Sequence, residues 1–423
     1  MSAVPSSSEP AAAVGPRPVP ETAFERRFGH PPGLVILFFT EMWERFSYYG
    51  MRGLLKLYMV NYLFITVRQT MQGKAYDGAG NPGEVLGWSF IKGLLPHVDV
   101  TDPTLIKECI EPKMASLMKG DEAAHIVGLA ADLARQVAQQ TCEVSSNASR
   151  LYGWYTGLVY LTPLLGGIIA DRYLGQRRTV VVGGILMALG HFVMASENMF
   201  FVALLLLIIG NGAFKPNVST QVGNLYAPGD PRRDGAYTIF YMGINLGAFI
   251  CNFVCGTLAA VYGWHYGFGA AGVGMVLGLC LYLYGQRYLA PDAKMREKAA
   301  LAEPPHAPHL DEPPASPGAL ATAPGAKQPL TREEWTRVWA LCALCALNVL
   351  FWVVYEQQGN TMQTWADEQT NWPTILGFRI PTSWFQSFNP FFIFMFAPVL
   401  DRFWAWQARQ KKEPTSVSKM AIG

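Results

Sequence analysis

Between Glu41 and Arg52 the chain reads EMWERFSYYGMR, which holds two carboxylates, two guanidiniums and a phenol at helical spacing. On a helix Glu41, Glu44, Arg45, Tyr48 and Arg52 share one face, because residues three, four and seven apart stack above one another. Such a stripe can bind and release protons, and its guanidiniums can pair with an anionic group. It lies inside an apolar run from Leu34 to Phe64, long enough at about 1.5 Å per residue to cross a bilayer. Each charge near the bilayer centre costs roughly 2.5–3.5 kcal/mol, so four facing lipid would cost on the order of 10 kcal/mol. The stripe must face a wet or paired interior. Two readings fit: a mutually neutralised structural cluster, or a proton and substrate relay in a membrane carrier.

A second charged position points the same way. In Asn211-Gly-Ala-Phe-Lys215-Pro216-Asn217 the ammonium of Lys215 falls about mid-span, and Pro216 frees a backbone carbonyl and bends the helix beside it. The lysine needs an anion, and Glu356 in Phe351-Trp352-Val-Val-Tyr355-Glu356-Gln357 offers one. A Lys215–Glu356 contact would be a gate between two halves of the chain, releasable by protonation or by a substrate carboxylate, or else a purely structural ion pair. Tyr237, Tyr241 and Asn245, at one-turn intervals, give a further polar face for peptide-like groups. In Gly166-Gly167-Ile-Ile-Ala-Asp171-Arg172-Tyr-Leu-Gly175, Gly167, Asp171, Arg172 and Gly175 mark a loop motif that forms a latch or merely sets topology by charge. The Gly-x-Gly at 210–212 follows no strand and lacks a third glycine, so it is no nucleotide loop. His191 reads as ordinary packing.

The elements that must position these groups are membrane helices. Half of the residues are hydrophobic and only 15% charged, against about 25% charged in soluble domains. The net charge of +2 is spread among loop ends, which argues against a nucleic-acid partner. Spans are expected at 34–64, 151–170, 179–195, 199–226, 237–261, 266–284, 336–358 and 384–404. Arg172, Arg177, Arg178, Arg232, Arg233, Arg287, Arg402 and Arg409 fall in the joints on the N-terminal side, so the N-terminus is expected in the cytoplasm. Residues 1–30 are expected to be a disordered tail, 31–286 a six-helix bundle, 287–334 a Pro-rich cytoplasmic linker, and 335–423 the start of a second bundle. Residues 65–150 are too polar to span and form an extracytoplasmic insertion. Cys109 and Cys142 are the two cysteines outside the spans, and an oxidising compartment would permit a disulfide between them. No metal-ligand set, HExxH or Ser-His pair appears in the spans, so neither a metal site nor an enzyme is expected.

Five motifs occur in order: ExxERFxYYG at 41–50, GGxxADxxLG at 166–175, GxGxxKPN at 210–217, FYxxINxG at 240–247 and FWxxxEQ at 351–357. Together they resemble the proton-dependent oligopeptide transporter family of the major facilitator superfamily, over about residues 30–405 apart from the insertion and the linker. The resemblance implies an all-α membrane protein that imports di- and tripeptides with protons by alternating access. It implies a proton as coupling ion in place of any cofactor, and a monomer in the cell (inner) membrane. It assigns proton coupling to Glu41, Glu44, Arg45 and Glu356, and substrate contacts to Arg45, Tyr48, Tyr49, Arg52, Tyr155, Lys215 and Asn245. Gly153 stands where animal members place a coupling histidine, which suggests coupling through carboxylates. Two departures stand out. The 65–150 insertion is longer than the family's usual link, and after Asp401-Arg402-Phe403 the chain stops where the family continues into a ninth helix, so a truncated bundle of eight helices is expected. A carrier for another small solute, or a truncated membrane protein that does not transport, is the alternative.

Overall fold

The computed structural model describes residues 23–64, 85–119, 130–227, 229–292, 295, 331–375, 377–412, 414–415 and 418–419. A short helix α1 (Ala23–Phe28) falls inside the expected tail, and most of that tail and of the Pro-rich linker lies outside the described residues. Helix α2 (Pro32–Tyr58) opens on a proline, which suits a first helical turn because the missing N–H has no helical partner there. It runs on through one π-helical turn, Met59–Leu63. Next come α3 (Trp88–Leu94), a π turn at Ile106–Ile110, and α4 (Glu111–Lys119). The bundle continues with α5 (Ala131–Ile169), α6 (Gln176–Val193), α7 (Phe200–Asn224), α8 (Arg232–Tyr262) and α9 (Trp264–Gly285).

Helix α10 (Arg332–Tyr355) starts on a capping box in which Thr331 and Glu334 satisfy each other's backbone N–H. It gives way at Glu356–Gly359 to a 3-10 turn, and α11 (Thr361–Gln369) carries the segment on. A two-stranded hairpin, β1 (Thr374–Ile375) against antiparallel β2 (Phe378–Arg379), precedes α12 (Phe388–Arg409). Among the described residues five segments are long and apolar enough to cross a membrane: Ala131–Leu174, Glu197–Asn224, Arg232–Tyr262, Trp264–Tyr288 and Arg332–Gln369. Helix α2 is long enough too but carries the charged stripe. The result is a membrane helical bundle in which α2 and α5–α9 form a six-helix unit, with α10 and α12 as the first two helices of a second unit.

Helix α2 is the axis of the six-helix unit. It is buried along most of its length between α8 and α9, with α7 alongside. Close approach is built from small residues. A Cβ on Gly247 of α8 would lie against the Met42 carbonyl of α2, and Gly50 of α2 faces Cys251 and Cys255 of α8. Helices α5 and α7 meet at Gly166 and Gly212, and Pro216 has already removed the N–H that would have bonded the Gly212 carbonyl. The glycines and proline of two motifs therefore serve one contact.

The boundary expected at residue 150 runs through a continuous helix. Residues 131–150 are too polar to span, yet Ala, Leu, Gln and Arg favour a helix, and Ala134, Val137, Ala138 and Cys142 recur every three or four residues on a buried face. A disulfide joins Cys109 to Cys142, with Cα atoms 6.1 Å apart, and pins the π turn before α4 to this extension.

Candidate functional site

The charged stripe of α2 divides into two clusters. In the first, Arg45 Nε donates to Glu41 Oε1 at 2.8 Å and lies 2.5 Å from Glu44 Oε2. Asn211 of α7 donates to the other Glu44 oxygen at 3.3 Å, and Glu44 is wholly shielded from solvent. The Arg45 guanidinium stands 5.5 Å from the Tyr48 ring, while among the described residues its Nη2 and Glu41 Oε2 have no hydrogen-bond partner. These are two open valences in a buried charged cluster.

Two helical turns on, Arg52 makes the second cluster. Its Nε donates to the Tyr152 hydroxyl of α5 at 2.7 Å, and its Nη2 pairs with Glu356 Oε2 at the break between α10 and α11. Tyr160 of α5 donates to the other Glu356 oxygen at 3.1 Å. This cluster ties the six-helix unit to the second unit. The break itself exposes the acid: helix α10 unwinds into a 3-10 turn at Glu356, and Gly359 lets the chain pass against the Tyr152 hydroxyl and Arg52.

Between the clusters lies a cavity of about 280 Å³. Glu41, Arg45, Tyr49, Arg52, Lys215 and Asn245 line it, as the sequence leads one to expect. Glu44 and Glu356 stand behind Arg45 and Arg52, each reaching the cavity through its guanidinium. Tyr48 and Tyr155 do not line it. Both are buried in the core with hydroxyls that have no partner among the described residues. Tyr160 takes the place expected of Tyr155, because five residues turn a helix by about 140°, and the α5 register could not be read from spacing. Tyr241 of the expected polar face lines it too, and Asn252, Trp352, Tyr355, Gln386 and Asn389, which were not singled out, complete the wall. Asn389 beside Pro390 in an otherwise apolar helix was the available signal there, and Gln386 falls in the 3-10 turn Thr382–Ser387 before it. Asn245 spends its amide N–H on the Tyr241 carbonyl at 2.9 Å, so its amide oxygen is left to accept.

The expected Lys215–Glu356 bridge is absent. Lys215 Nζ sits 4.8 Å from the centre of the Tyr160 ring, and among the described residues no carboxylate lies within ion-pair distance of it. Glu356 goes to Arg52 instead, because the break in α10 lies level with that turn of α2. Lys215 is thereby a cavity cation without a bound anion.

The loop motif also differs from expectation. Asp171 and Arg172 are exposed, and among the described residues neither forms a salt bridge. The tie at this joint comes from Asp292, whose carboxylate accepts the Arg177 backbone N–H at 3.2 Å, while the Arg177 side chain donates to the Ala290 carbonyl at 3.0 Å. Gly175 turns the chain at φ 79°, and a side chain there would meet Asp292. Gly167 has open space around its Cα.

A second hollow, of about 660 Å³, is larger but apolar, lined by Trp43, Phe46, Phe192, Val254 and Val273 among others. It has the character of a lipid-facing groove. The charged cavity gathers Glu41, Arg45, Arg52 and Lys215.

Known proteins match this arrangement. Residues 177–299 and 321–423 match the POT family. An uncharacterized transporter, YclF, of Bacillus subtilis is 30% identical over 96% of this chain and 73% of its own length. The peptide transporter YePEPT of Yersinia enterocolitica is also 30% identical, over 94% of this chain and 71% of its own. A crystal structure of a point mutant of peptide transporter POT superposes with a TM-score of 0.59 at 30% identity, covering 94% of this chain and 72% of that one. The same transporter in complex with alafosfalin gives a TM-score of 0.58 at 29% identity, over 92% and 70% of the two chains. With the ordered motifs, the shared bundle and this extent of match, the chain belongs to the POT family of proton-dependent oligopeptide transporters, as an integral membrane protein built on the major facilitator bundle.

Proposed function

We propose that this protein is a proton-coupled symporter that imports di- and tripeptides by alternating access, with its N-terminus in the cytoplasm of the cell whose inner membrane it spans. The observation that carries the reading is the pairing pattern around the cavity. Arg45 Nη2 and Lys215 offer open cationic valences, and the Asn245 carboxamide oxygen and Glu41 Oε2 offer open acceptors. A peptide zwitterion has one of each kind of end. Its carboxylate fits between Arg45 and Lys215, and Tyr49 and Asn245 take its backbone. At about 280 Å³ the cavity lies just below the usual range of about 300–1,000 Å³, a size that suits a short peptide.

Proton coupling follows from competition. Glu41 and Glu44 share one guanidinium. A proton on either weakens its hold on Arg45, which then turns to the peptide carboxylate. Glu356 holds Arg52 in the same manner, and protonation there loosens the tie between the units. The basic joints at Arg172, Arg177, Arg232 and Arg287 favour the cytoplasmic side for the N-terminal end, so the end bearing α3 and α4 faces outward.

Purified protein in liposomes tests the reading. An inward proton gradient should drive uptake of a labelled dipeptide, with saturation, competition by unlabelled di- and tripeptides and collapse under a protonophore. Uptake indifferent to the gradient, or uncompeted by peptides, would overturn it.

A further inference from the structure

The insertion ends in a contact that the carrier chemistry leaves unused. Residues 85–119 are fastened to the six-helix unit at several points. The Leu86 N–H donates to the Asn198 carbonyl at 2.9 Å, Trp88 packs on Phe64 and Phe201, and the disulfide Cys109–Cys142 ties the π turn to α5. A small satellite core, with Ile110, Ala138 and Cys142 at its centre and Met114 and Leu117 against it, stiffens the attachment. From this rigid base α4 projects Lys113 across to the second unit, where Nζ meets Glu368 Oε1 of α11 at 2.6 Å.

Glu368 lies at the far end of the segment whose near end is Glu356. Beside it, Asp367 accepts from Asn61 of the π turn after α2 at 2.8 Å and from Thr382 at 2.8 Å. Thus α11 is held against the six-helix unit near its C-terminal end by Asn61 and Lys113, while the break before it is held by Arg52. Lys56, buried one turn beyond Arg52, is occupied by the Ser145 carbonyl and Ser149 of α5 and makes no bond to α11.

We infer that Lys113 is a positioning residue for transport: the disulfide-braced insertion is an outer strut that latches α11 shut through Glu368 and must let go when the carrier opens outward. The inference rests on the alternating-access reading. Lys113 and Glu368 are 29% and 35% exposed, so the pair biases the equilibrium modestly and does not lock it. Its leverage comes from the brace. Without the disulfide the strut would yield, and the latch would hold nothing.

The test reads outward opening without substrate. A reporter, Ala248→Cys in the cavity wall, is placed in a chain whose free cysteines at 251, 255, 280, 342 and 345 are replaced by serine, and labelled from outside with a membrane-impermeant maleimide. Lys113→Ala should speed labelling about 3–5-fold, the size expected of a partly exposed ion pair. Lys113→Glu with Glu368→Lys should return the rate to that of the parent. Cys109→Ser with Cys142→Ser should speed labelling too, and add nothing on top of Lys113→Ala, as for two parts of one device. Unchanged labelling in Lys113→Ala, failure of the swapped pair to restore it, or multiplying effects would each overturn the latch. Because no peptide is involved, absent uptake with this labelling pattern would count against the symport reading alone.

Discussion

The two clusters on α2 use the same chemistry in different mechanical settings. Glu41, Glu44 and Arg45, with Asn211, draw every partner from within the six-helix unit, whose helices meet through glycine contacts and stay together. Arg52 reaches Tyr152 in that unit and Glu356 in the other. A buried arginine–carboxylate contact inside one rigid body can change its protonation and partners while the body keeps its shape. The same contact across two bodies decides how far apart they stand. On the symport reading the first cluster couples and the second gates.

That contrast can be broken from the gate side. Glu356→Ala leaves Arg52 buried without its carboxylate, and removing one partner of a buried pair costs about 3–5 kcal/mol, or upwards of about 100-fold. Gradient-driven dipeptide uptake should fall by that order, and external labelling of the cavity should rise because the units part. Retained uptake with unchanged labelling would deny Arg52 and Glu356 a gating role.

A smaller effect sharpens the placement of the substrate between the clusters. Lys215 has no anion of its own, so Lys215→Ala removes a charge-assisted contact worth about 1.5–3 kcal/mol from the peptide carboxylate and raises KM about 10–100-fold. A dipeptide amide, lacking the carboxylate, should be indifferent to the change. Equal losses for the free acid and the amide would move the carboxylate elsewhere. The smallest effect belongs to the loop. Asp171→Asn changes an exposed residue that pairs with no described residue and should alter uptake and melting temperature little, a surface substitution being worth within about 0.5 kcal/mol. A large loss would show that Asp171 finds a partner in another state of the cycle.

The sequence reveals some of this arrangement and hides the rest for definable reasons. Charge cost alone places Glu41, Glu44, Arg45 and Arg52 toward an interior, since lipid excludes them, and periodicity puts them on one face. Lys215 and Asn245 are legible through their motifs. The partner of Glu356 was not, because pairing across two units depends on the height at which each helix crosses the other, which residue types do not encode. Tyr160 was missed for Tyr155 for a related reason: an apolar helix bearing a tyrosine every few residues gives no local cue to its rotation. The early start of α5 was hidden because its first turns are polar, and a search for apolar runs sees only the part that lipid surrounds.

The measurement closest to the central claim compares two transport modes in Glu44→Gln. Glutamine keeps the shape of the carboxyl and stands in for its protonated form, with one acceptor oxygen in place of two, but cannot titrate. Coupling through this cluster predicts that counterflow exchange of dipeptide persists within about threefold, while gradient-driven accumulation falls about 100-fold or more, the loss of a transport step worth about 2.7 kcal/mol. Driven accumulation equal to that of the parent, or loss of both modes together, would contradict it.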